Sequence, residues 1–558
     1  MSGSGSKGLV LLVGPWGFPG RWYGVSYRAP KLPDEASKWG KLSAWGSEGP
    51  VRKGHSTTLA LAGALEDQGW EVRMLVYGLD TLASPYFANP KAVGSDLAGR
   101  LEALLEEFHS SDPRSYEEVL ERAQAVLGLF LDAYAEEAGV DRGKVECLIL
   151  PGTGRWMLPK PGARGDEKPY SYVGSPLNMQ ALLELHLTWR LGELKPDAII
   201  LDISHGVNYM PALALRALER VSVLHASLRG PISVAVVQSD PVAEGSKLSV
   251  IHVVEAGRVG YSIHDAMEYF AGSLPRDPRG IHGYRMLERG RPPSVLKGIK
   301  AAVEGALEEY WGTMKTVIAA DRHGLALYAL HALSTVNPAR LRRSVEALED
   351  LLRGALRYRE VGRSEEGVLV SQPFAIIPGE ALNILYSLRI LEALASQLET
   401  QARTVGRYRM FSLSSLRRYL ERVEPPRAAR AIAQREIDDV KGRVTTLLEA
   451  LQAEPSLLSK PTSYSVIYDY TERSFYSISR AVREGRVRSK LERGIQEDQY
   501  MLEKKPPTHC DIDERNFYAH AGMERNAVAV LAVEGEVYIG YHPHCLDRVR
   551  ELASEALS

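Results

Sequence analysis

The pattern of hydrophobic positions divides the chain into two halves. In the first half, short apolar runs rich in β-branched residues alternate with amphipathic stretches, which indicates a parallel sheet with crossover helices. Several runs are almost continuously apolar, as expected for strands covered on both faces. The pattern predicts six strands, at 9–13, 71–77, 145–150, 198–203, 232–237 and 248–254, and helices at 56–68, 96–108, 116–137, 177–191 and 208–220.

Beyond about residue 265, apolar residues recur mainly at helical spacing. Near the end, two apolar runs at 527–533 and 536–541 flank Glu534-Gly535, a pattern typical of a β-hairpin. The sequence therefore predicts an α/β domain with a parallel-rich six-stranded sheet, followed by an all-α domain with a small terminal hairpin. The predicted helices of the second half are 296–319, 341–358, 380–401, 414–423 and 428–453.

Composition narrows the class of protein. A chain of 558 residues is too long for one hydrophobic core, so at least two domains are expected. The start of the chain lacks a secretory signal, and its three cysteines are far apart without a C-x-x-C pair. We therefore expect a cytoplasmic protein with no disulfide framework, no metal site and no bound cofactor. The net charge of −2 indicates that any nucleic acid is bound locally, in a groove or pocket.

Three loops with unusual chemistry follow predicted strands of the first half. They are Gly14–Gly17, a loop containing Gly152 and Thr153, and a loop running from Ser204 to Asn208. In an open parallel sheet, ligands bind beyond the carboxyl ends of the strands, beside helix N-termini. Hydroxyls and exposed amides there suit a phosphate or a purine edge, although glycine and serine also serve simply to make turns. None of these three loops is a G-x-G-x-x-G or a phosphate-binding G-x-x-x-x-G-K-[ST] string, which argues against a dinucleotide or an ATP site.

The segment from Arg515 to His520 is the sharpest motif in the chain. Asp511, with Glu514 three residues later, predicts the start of a helix on which Asn516 and His520 share a face. A histidine can transfer a proton near neutral pH, an arginine can stabilise a pentacovalent phosphorane, and a short amide can orient either. RNA supplies its own 2′-hydroxyl nucleophile, so such a group can cleave it without a metal ion. The same spacing also occurs by chance, with the histidine merely packing.

Two strings in this chain resemble one known family. The run from Asp202 to Pro211, Asp-Ile-Ser-His-Gly-Val-Asn-Tyr-Met-Pro, resembles the signature of the CARF domain in type III CRISPR ancillary ribonucleases. The run from Arg515 to Gly522, Arg-Asn-Phe-Tyr-Ala-His-Ala-Gly, resembles the HEPN motif of the same family. The strings match independently and in the expected order.

The resemblance implies a Rossmann-like CARF domain over 1–265 and a HEPN ribonuclease domain over 351–558. Helical periodicity alone indicates a helical connector over 266–350. The resemblance also implies a homodimer, or a higher assembly of dimers, whose two CARF domains bind one cyclic oligoadenylate, most often the tetra-adenylate. Arg515 and His520 of both chains then line one cleft, assisted by Asn516, and cleave single-stranded RNA to a 2′,3′-cyclic phosphate in antiviral defence. The implied ligand contacts in the sensor are Trp16, Thr57, Ser204, His205, Gly206 and Asn208.

The sequence leaves other functions open. The same sensor could drive a DNA-reading helix-turn-helix, which predicts a compact basic helix and gives no reason for the Arg515 motif. A metal-dependent nuclease predicts a carboxylate cluster with a nearby E-x-K, and the sequence offers none convincingly placed. A sensor that cleaves its own ligand would implicate Ser204 and His205.

Arginines interleaved with tyrosines form one further feature. A basic cluster over 480–490 lies near Tyr464, Tyr468, Tyr470 and Tyr476. That mixture suits single-stranded RNA, although a solvated helix face is the simpler account.

Overall fold

The computed structural model describes residues 7–85, 95–156, 169–207, 209–275, 277, 280–364, 367–398, 402–451, 455–472, 488–504 and 507–555. The chain forms two compact units that are not contiguous in sequence. The first unit comprises Met1–Tyr261, Gly280–Val303 and Ala347–Leu382. The second unit comprises Ser262–Arg279, Glu304–Glu346 and Asn383–Ser558.

Nineteen strands are found in the described part of the chain. They are β1 (Leu9–Pro15), β2 (Val25–Arg28), β3 (Val51–Gly54), β4 (Glu71–Leu79), β5 (Val145–Leu150), β6 (Gly154–Trp156), β7 (Tyr170–Val173), β8 (Ala198–Asp202), β9 (Ile232–Ser239), β10 (Leu248–Val259), β11 (Tyr284–Met286), β12 (Glu360–Ser364), β13 (Gly367–Ser371), β14 (Phe374–Ile376), β15 (Ala402–Val405), β16 (Tyr408–Ser412), β17 (Thr462–Ser463), β18 (Val528–Val533) and β19 (Glu536–Tyr541).

The α-helices of the same described residues number sixteen. They are α1 (Thr57–Asp67), α2 (Ser95–Ser110), α3 (Tyr116–Ala138), α4 (Pro176–Leu194), α5 (Tyr209–Arg229), α6 (Ile263–Phe270), α7 (Ser294–Arg322), α8 (Ala326–Leu333), α9 (Pro338–Leu356), α10 (Asn383–Leu398), α11 (Leu413–Val423), α12 (Arg427–Leu451), α13 (Tyr464–Glu472), α14 (Arg488–Lys504), α15 (Glu514–Ala519) and α16 (Leu546–Glu555).

An eight-stranded sheet forms the centre of the first unit, in the order β3-β2-β10-β9-β8-β1-β4-β5. β1 pairs in parallel with β4 and β8, whereas β10 runs antiparallel to β9. β1 and β8 are apolar and almost fully buried apart from Asp202 at the end of β8, since helices cover both faces. The six predicted strands are all present, and the α/β class is confirmed. β2 and β3 extend the predicted sheet; they are short and half polar, so they carry no strong apolar signal.

Serine side chains fix where several of the helices of this unit begin. The Ser56 hydroxyl accepts a hydrogen bond from the backbone amide of Leu59 (3.4 Å) and thereby caps α1. Ser115 caps α3 in the same way, and α3 ends at Gly139, whose φ of 66° lies in the left-handed region. α1 therefore starts at Thr57, immediately beside the carboxyl edge of the sheet.

The two compact units alternate along the chain. A smaller sheet, in the order β12-β13-β7-β6, joins residues after 350 to the first unit, because β13 pairs in parallel with β7. A buried ion pair connects the same parts of the chain: Arg359 Nη1 lies 2.6 Å from Asp80 Oδ2, and both side chains are almost fully buried. The division between the units falls within α7 and within α9. Periodicity alone does not reveal which unit a helix packs against.

The second unit is helical, with a five-stranded sheet in the order β15-β16-β19-β18-β17. The predicted terminal hairpin is present as β18 and β19, which pair antiparallel from Val528↔Tyr541 to Val533↔Glu536. It is not isolated, because β16 and β17 pair with its two sides. The helices predicted over 414–423 and 428–453 are confirmed as α11 and α12.

Candidate functional site

A backbone hydrogen bond joins two of the predicted ligand loops at the carboxyl edge of the large sheet. The Gly17 amide donates to the carbonyl oxygen of His205 over 2.8 Å. Gly17 permits this approach because a Cβ there would lie 2.9 Å from the backbone nitrogen of Val207. The loops after β1 and β8 therefore form one surface.

His205 is held at the beginning of α1. Its Nε2 accepts a hydrogen bond from the backbone amide of Thr57 (2.9 Å), and the Thr57 hydroxyl lies at the same distance. The ring also stacks on Trp22, with centroids 3.9 Å apart and planes inclined by 22°. Desolvation in this packing lowers the pKa of His205 to about 3. The imidazole is therefore neutral near pH 7, with its proton on Nδ1 because Nε2 is an acceptor.

A chain of hydrogen bonds occupies the polar groups below His205. The Ser204 hydroxyl donates to Asp202 Oδ1 (2.5 Å) and accepts from the Ser239 amide (2.9 Å). The other carboxylate oxygen of Asp202 accepts from the Thr58 hydroxyl (2.7 Å), which in turn accepts from Trp16 Nε1 (3.2 Å). Burial raises the pKa of Asp202. Both hydrogen-bonding functions of the Ser204 hydroxyl are thus used within the protein.

An open cavity of about 410 Å³ lies beside these loops. Its lining includes Trp22, Ser204, His205 and Gly206. Trp16 lies elsewhere: it is fully buried in the core, so Trp22 is the tryptophan on the cavity wall. The volume falls within the range of small-molecule sites. Asn208, another predicted contact, lies outside the described residues.

Gly152 and Thr153 belong to a different cluster. The Gly152 amide donates to Asp80 Oδ1 (2.8 Å), and its carbonyl oxygen accepts from Arg359 Nη2 (2.7 Å). The Thr153 amide donates to the Tyr209 hydroxyl (3.1 Å). Neither Gly152 nor Thr153 lines the cavity beside His205.

The motif helix α15 is short and is capped at Asp513, not at Asp511 as predicted. The Asp513 side chain accepts from the Asn516 amide (2.8 Å), so the helix begins at Glu514. It ends at Ala519, because Ala521 and Gly522 have φ values of 50° and 76°.

This turn orients the motif side chains. Phe517 is fully buried, whereas Arg515 and Asn516 are exposed. The His520 amide donates to the Asn516 carbonyl oxygen (2.9 Å), which holds the two residues one turn apart as predicted. Arg515, Asn516 and His520 therefore lie on the exposed side of a helix anchored by Phe517.

A carboxylate from α12 contacts the histidine. His520 Nδ1 lies 2.9 Å from Glu436 Oε2; the Glu436 side chain is 14% exposed and that of His520 is 42% exposed. Because Glu436 occupies Nδ1, the other ring nitrogen is the one available to a substrate. The sequence prediction missed Glu436, which lies 84 residues before His520 on a helix with many other charged residues.

The expectation about cysteines is wrong. Cys510 and Cys545 form a disulfide, with Cα atoms 5.0 Å apart, and Cys147 is free. The bond joins the segment before α15 to the segment after β19. The two cysteines lie 35 residues apart in sequence, and only the fold brings them together.

Neither a metal-binding cluster nor a membrane-spanning helix is present in the described part of the chain. Within the ranges that the structure describes, no group of three or more His, Cys, Asp or Glu side chains is arranged to hold a metal ion. Among those same residues, no helix combines the length and apolar character required to span a bilayer.

The fold and the two sites define an α/β sensor-type domain joined to a helical domain with a nuclease-type Arg–His motif. Comparison with protein families agrees: a family model described as "CRISPR system endoribonuclease Csx1, CARF domain" matches residues 11–241. A second, described as "CRISPR system endoribonuclease Csx1, HEPN domain", matches residues 427–543. The chain belongs to this CRISPR-associated ribonuclease family, with an N-terminal CARF domain and a C-terminal HEPN domain. No curated protein matches the chain.

Proposed function

We propose that the chain is an endoribonuclease that cleaves single-stranded RNA without a metal ion and is activated by a cyclic oligoadenylate. The observation that carries the proposal is the contact between His520 and Glu436, which fixes an exposed imidazole at the end of the short helix that carries the exposed Arg515. The family supports a CRISPR-associated ribonuclease with a ligand-sensing domain. The activator, the metal independence and the product are our proposals.

The proposed reaction uses the RNA's own 2′-hydroxyl. His520 accepts the 2′-hydroxyl proton through Nε2 as the oxygen attacks the adjacent phosphorus. The guanidinium of Arg515 stabilises the charge that develops on the phosphorane. The P–O5′ bond breaks, the 5′-oxygen takes up a proton, and the products are a 2′,3′-cyclic phosphate and a 5′-hydroxyl. Asn516 orients the reacting groups, and Glu436 holds the imidazole in its working tautomer.

A second chain completes the proposed centre. One exposed histidine can accept the first proton, but a second general acid is needed to protonate the leaving oxygen. A homodimer in which two copies of α15 face each other supplies both imidazoles and both guanidiniums. Activation is then a population shift, in which the activator binds the cleavage-competent arrangement of the dimer more tightly.

We place the activator at the cavity beside Trp22 and His205. A neutral imidazole and a stacked indole suit an adenine ring, and the neighbouring Gly206 lines the same cavity. The cyclic tetra-adenylate is the proposed ring, bound by the cavities of two chains. Thr57 acts through His205, and Ser204 through the loop that it holds.

Cleavage of the activator by the sensor itself is the less favoured alternative. The Ser204 hydroxyl is engaged by Asp202 and Ser239, and Nε2 of His205 is engaged by Thr57. Neither group is poised as a free base, which favours binding over turnover.

Two substitutions at the C-terminal site test the proposal. Arg515→Ala and His520→Ala should each abolish RNA cleavage in EDTA while leaving binding of cyclic tetra-adenylate unchanged. Mass spectrometry of the wild-type products should find 2′,3′-cyclic phosphate ends. Retained cleavage in either variant, or 3′-hydroxyl products, would refute the assignment.

A further inference from the structure

Two arginines lie over one tyrosine ring in the second unit. The guanidinium carbon of Arg443, on α12, lies 4.1 Å from the centroid of the Tyr468 ring, on α13. The guanidinium carbon of Arg525, in the turn that follows His520, lies 5.1 Å from the same centroid. Both distances are within the range of cation–π contacts. We call Arg443, Tyr468 and Arg525 the stacked triad.

The stacked triad continues a row of side chains that begins at His520. Glu436, Asp439 and Arg443 are spaced by three and four residues on α12 and so share one face. Glu436 contacts His520 Nδ1, and Asp439 Oδ2 accepts from Arg443 Nε over 2.7 Å. One helix face thus carries both the partner of the proposed catalytic histidine and the first arginine of the triad.

The two arginines differ in how firmly they are held. Arg443 donates to Asp439 and also to the Thr471 hydroxyl (3.0 Å), and its side chain is mostly buried. Arg525 is 44% exposed and meets Asp469 only at 3.4 Å. Arg443 therefore orients the tyrosine ring, whereas Arg525 can turn towards an anion at little cost.

Planar cations beside an aromatic ring match the chemistry of unpaired nucleotides. Bases splayed out of a helix stack on aromatic rings and on guanidinium planes, and the charge also attracts the phosphate. Bases within a duplex already stack on one another and gain nothing from such a surface. The triad therefore favours a single strand.

We propose that the stacked triad holds one unpaired nucleotide of the RNA next to the phosphodiester presented to His520. The proposal rests on the ribonuclease function proposed above and names residues that select single-stranded RNA for it. The nucleotide stacks on Arg525 and Tyr468, and its phosphate meets the Arg525 guanidinium.

Four variants of the full chain test the triad, two at Arg525 and two at Tyr468. Arg340→Gln is the control, because Arg340 is also an exposed arginine with an acidic partner, Glu309, at 2.8 Å. Arg525→Lys keeps the charge but loses the planar group, and Arg525→Gln loses both. Tyr468→Ala removes the ring, and Tyr468→Phe keeps it. Binding is measured by anisotropy with a fluorescent single-stranded oligonucleotide whose 2′-hydroxyls are methylated, and KM and kcat with the unmodified RNA.

Arg525→Lys, Arg525→Gln and Tyr468→Ala should weaken binding by about 5- to 150-fold, the range for one base stack, and raise KM with kcat retained. Tyr468→Phe and Arg340→Gln should behave as wild type. The triad would be refuted if Arg525→Lys and Tyr468→Ala both had the binding affinity and the KM of wild type. It would also be refuted if these variants lowered kcat alone, or if the wild-type protein did not bind the methylated oligonucleotide. If the variants lose binding but wild type cleaves nothing, the triad stands and the ribonuclease proposal fails.

Discussion

Replacing Glu436 with glutamine probes the contact on which the proposed catalytic centre depends. Glu436→Gln preserves side-chain size and an oxygen that can accept from His520 Nδ1, but it removes the negative charge. The contact in the wild type is 2.9 Å long, and Glu436 is largely shielded from solvent by its position on α12. The substitution should therefore leave the fold intact and weaken the hold on the imidazolium that forms during the reaction.

The size of the effect follows from the exposure of the two groups. A hydrogen bond to a charged partner contributes about 1.5–3 kcal/mol when well shielded. The His520 side chain is 42% exposed, so solvent screening reduces the contribution to about 1–2 kcal/mol. The cleavage rate should fall by about 5- to 30-fold. His520→Ala should cost far more, about 10²- to 10⁴-fold, because it removes the acid–base group itself.

The assay is single-turnover cleavage of a fluorescent RNA at saturating cyclic tetra-adenylate. Asp438→Asn is the matched control, since Asp438 is an acidic residue of the same helix that pairs with Arg417. Its rate should equal that of wild type, and the melting temperature of both variants should be unchanged. A wild-type rate in Glu436→Gln, or an equal loss in Asp438→Asn, would refute the positioning role of Glu436.

Three further outcomes are expected. Trp22→Ala should raise the activator concentration needed for half-maximal cleavage several-fold without changing the maximal rate, measured as a dose–response; an unchanged curve would count against the cavity. Cys545→Ala should destabilise the second unit by up to about 4 kcal/mol, because the disulfide closes a loop of 35 residues and so lowers the entropy of the unfolded chain. A reductant should lower the urea concentration at the midpoint of unfolding for the wild type but not for the variant. Burial lowers the pKa of His205 from 6.5 to about 3, so between pH 6.5 and pH 3 the imidazole takes up a proton in the unfolded chain but not in the folded one. The free energy of unfolding should therefore fall by up to about 1.4 kcal/mol for each unit by which the pH is lowered in this range. His205→Gln should flatten that fall in thermal melts, and equal slopes would contradict the buried, neutral imidazole.

Local patterns were sufficient to predict much of the fold. Continuous apolar runs identify β1 and β8, because a strand that is buried on both faces shows no alternation of polar and apolar residues. Helical spacing likewise identifies α11 and α12 to within a few residues. The short strands β12 and β13 were missed, because their stability comes from pairing with β7, about two hundred residues earlier in the chain.

The residues of the candidate sites could also be predicted only where they lie close together in the sequence. Arg515 and His520 are recognisable because they stand in one short string, and Ser204, His205 and Gly206 because they follow one strand. Glu436 could not be predicted, because nothing in its own neighbourhood distinguishes it from the other acids of α12. The prediction of Trp16 instead of Trp22 on the cavity wall has a similar cause. Both residues follow β1, and only the folded structure shows that Trp16 is buried, with its ring against those of Trp22 and Tyr134.

The N-terminal cap of α15 differs from the predicted one by two residues. Asp511 and Asp513 both precede the motif, and Asp511 with Glu514 has the capping-box spacing. The structure uses Asp513, whose carboxylate reaches the Asn516 amide. Buried Ile512 and the Cys510–Cys545 disulfide fix the approach of the chain, and neither constraint is visible in the local pattern.

Cleavage of single-stranded RNA by the full-length chain in EDTA, with and without synthetic cyclic tetra-adenylate, tests the central claim most directly. Cleavage should require the activator, persist in EDTA and disappear in His520→Ala. Equal cleavage without the activator, or cleavage that EDTA abolishes and His520→Ala retains, would contradict that claim.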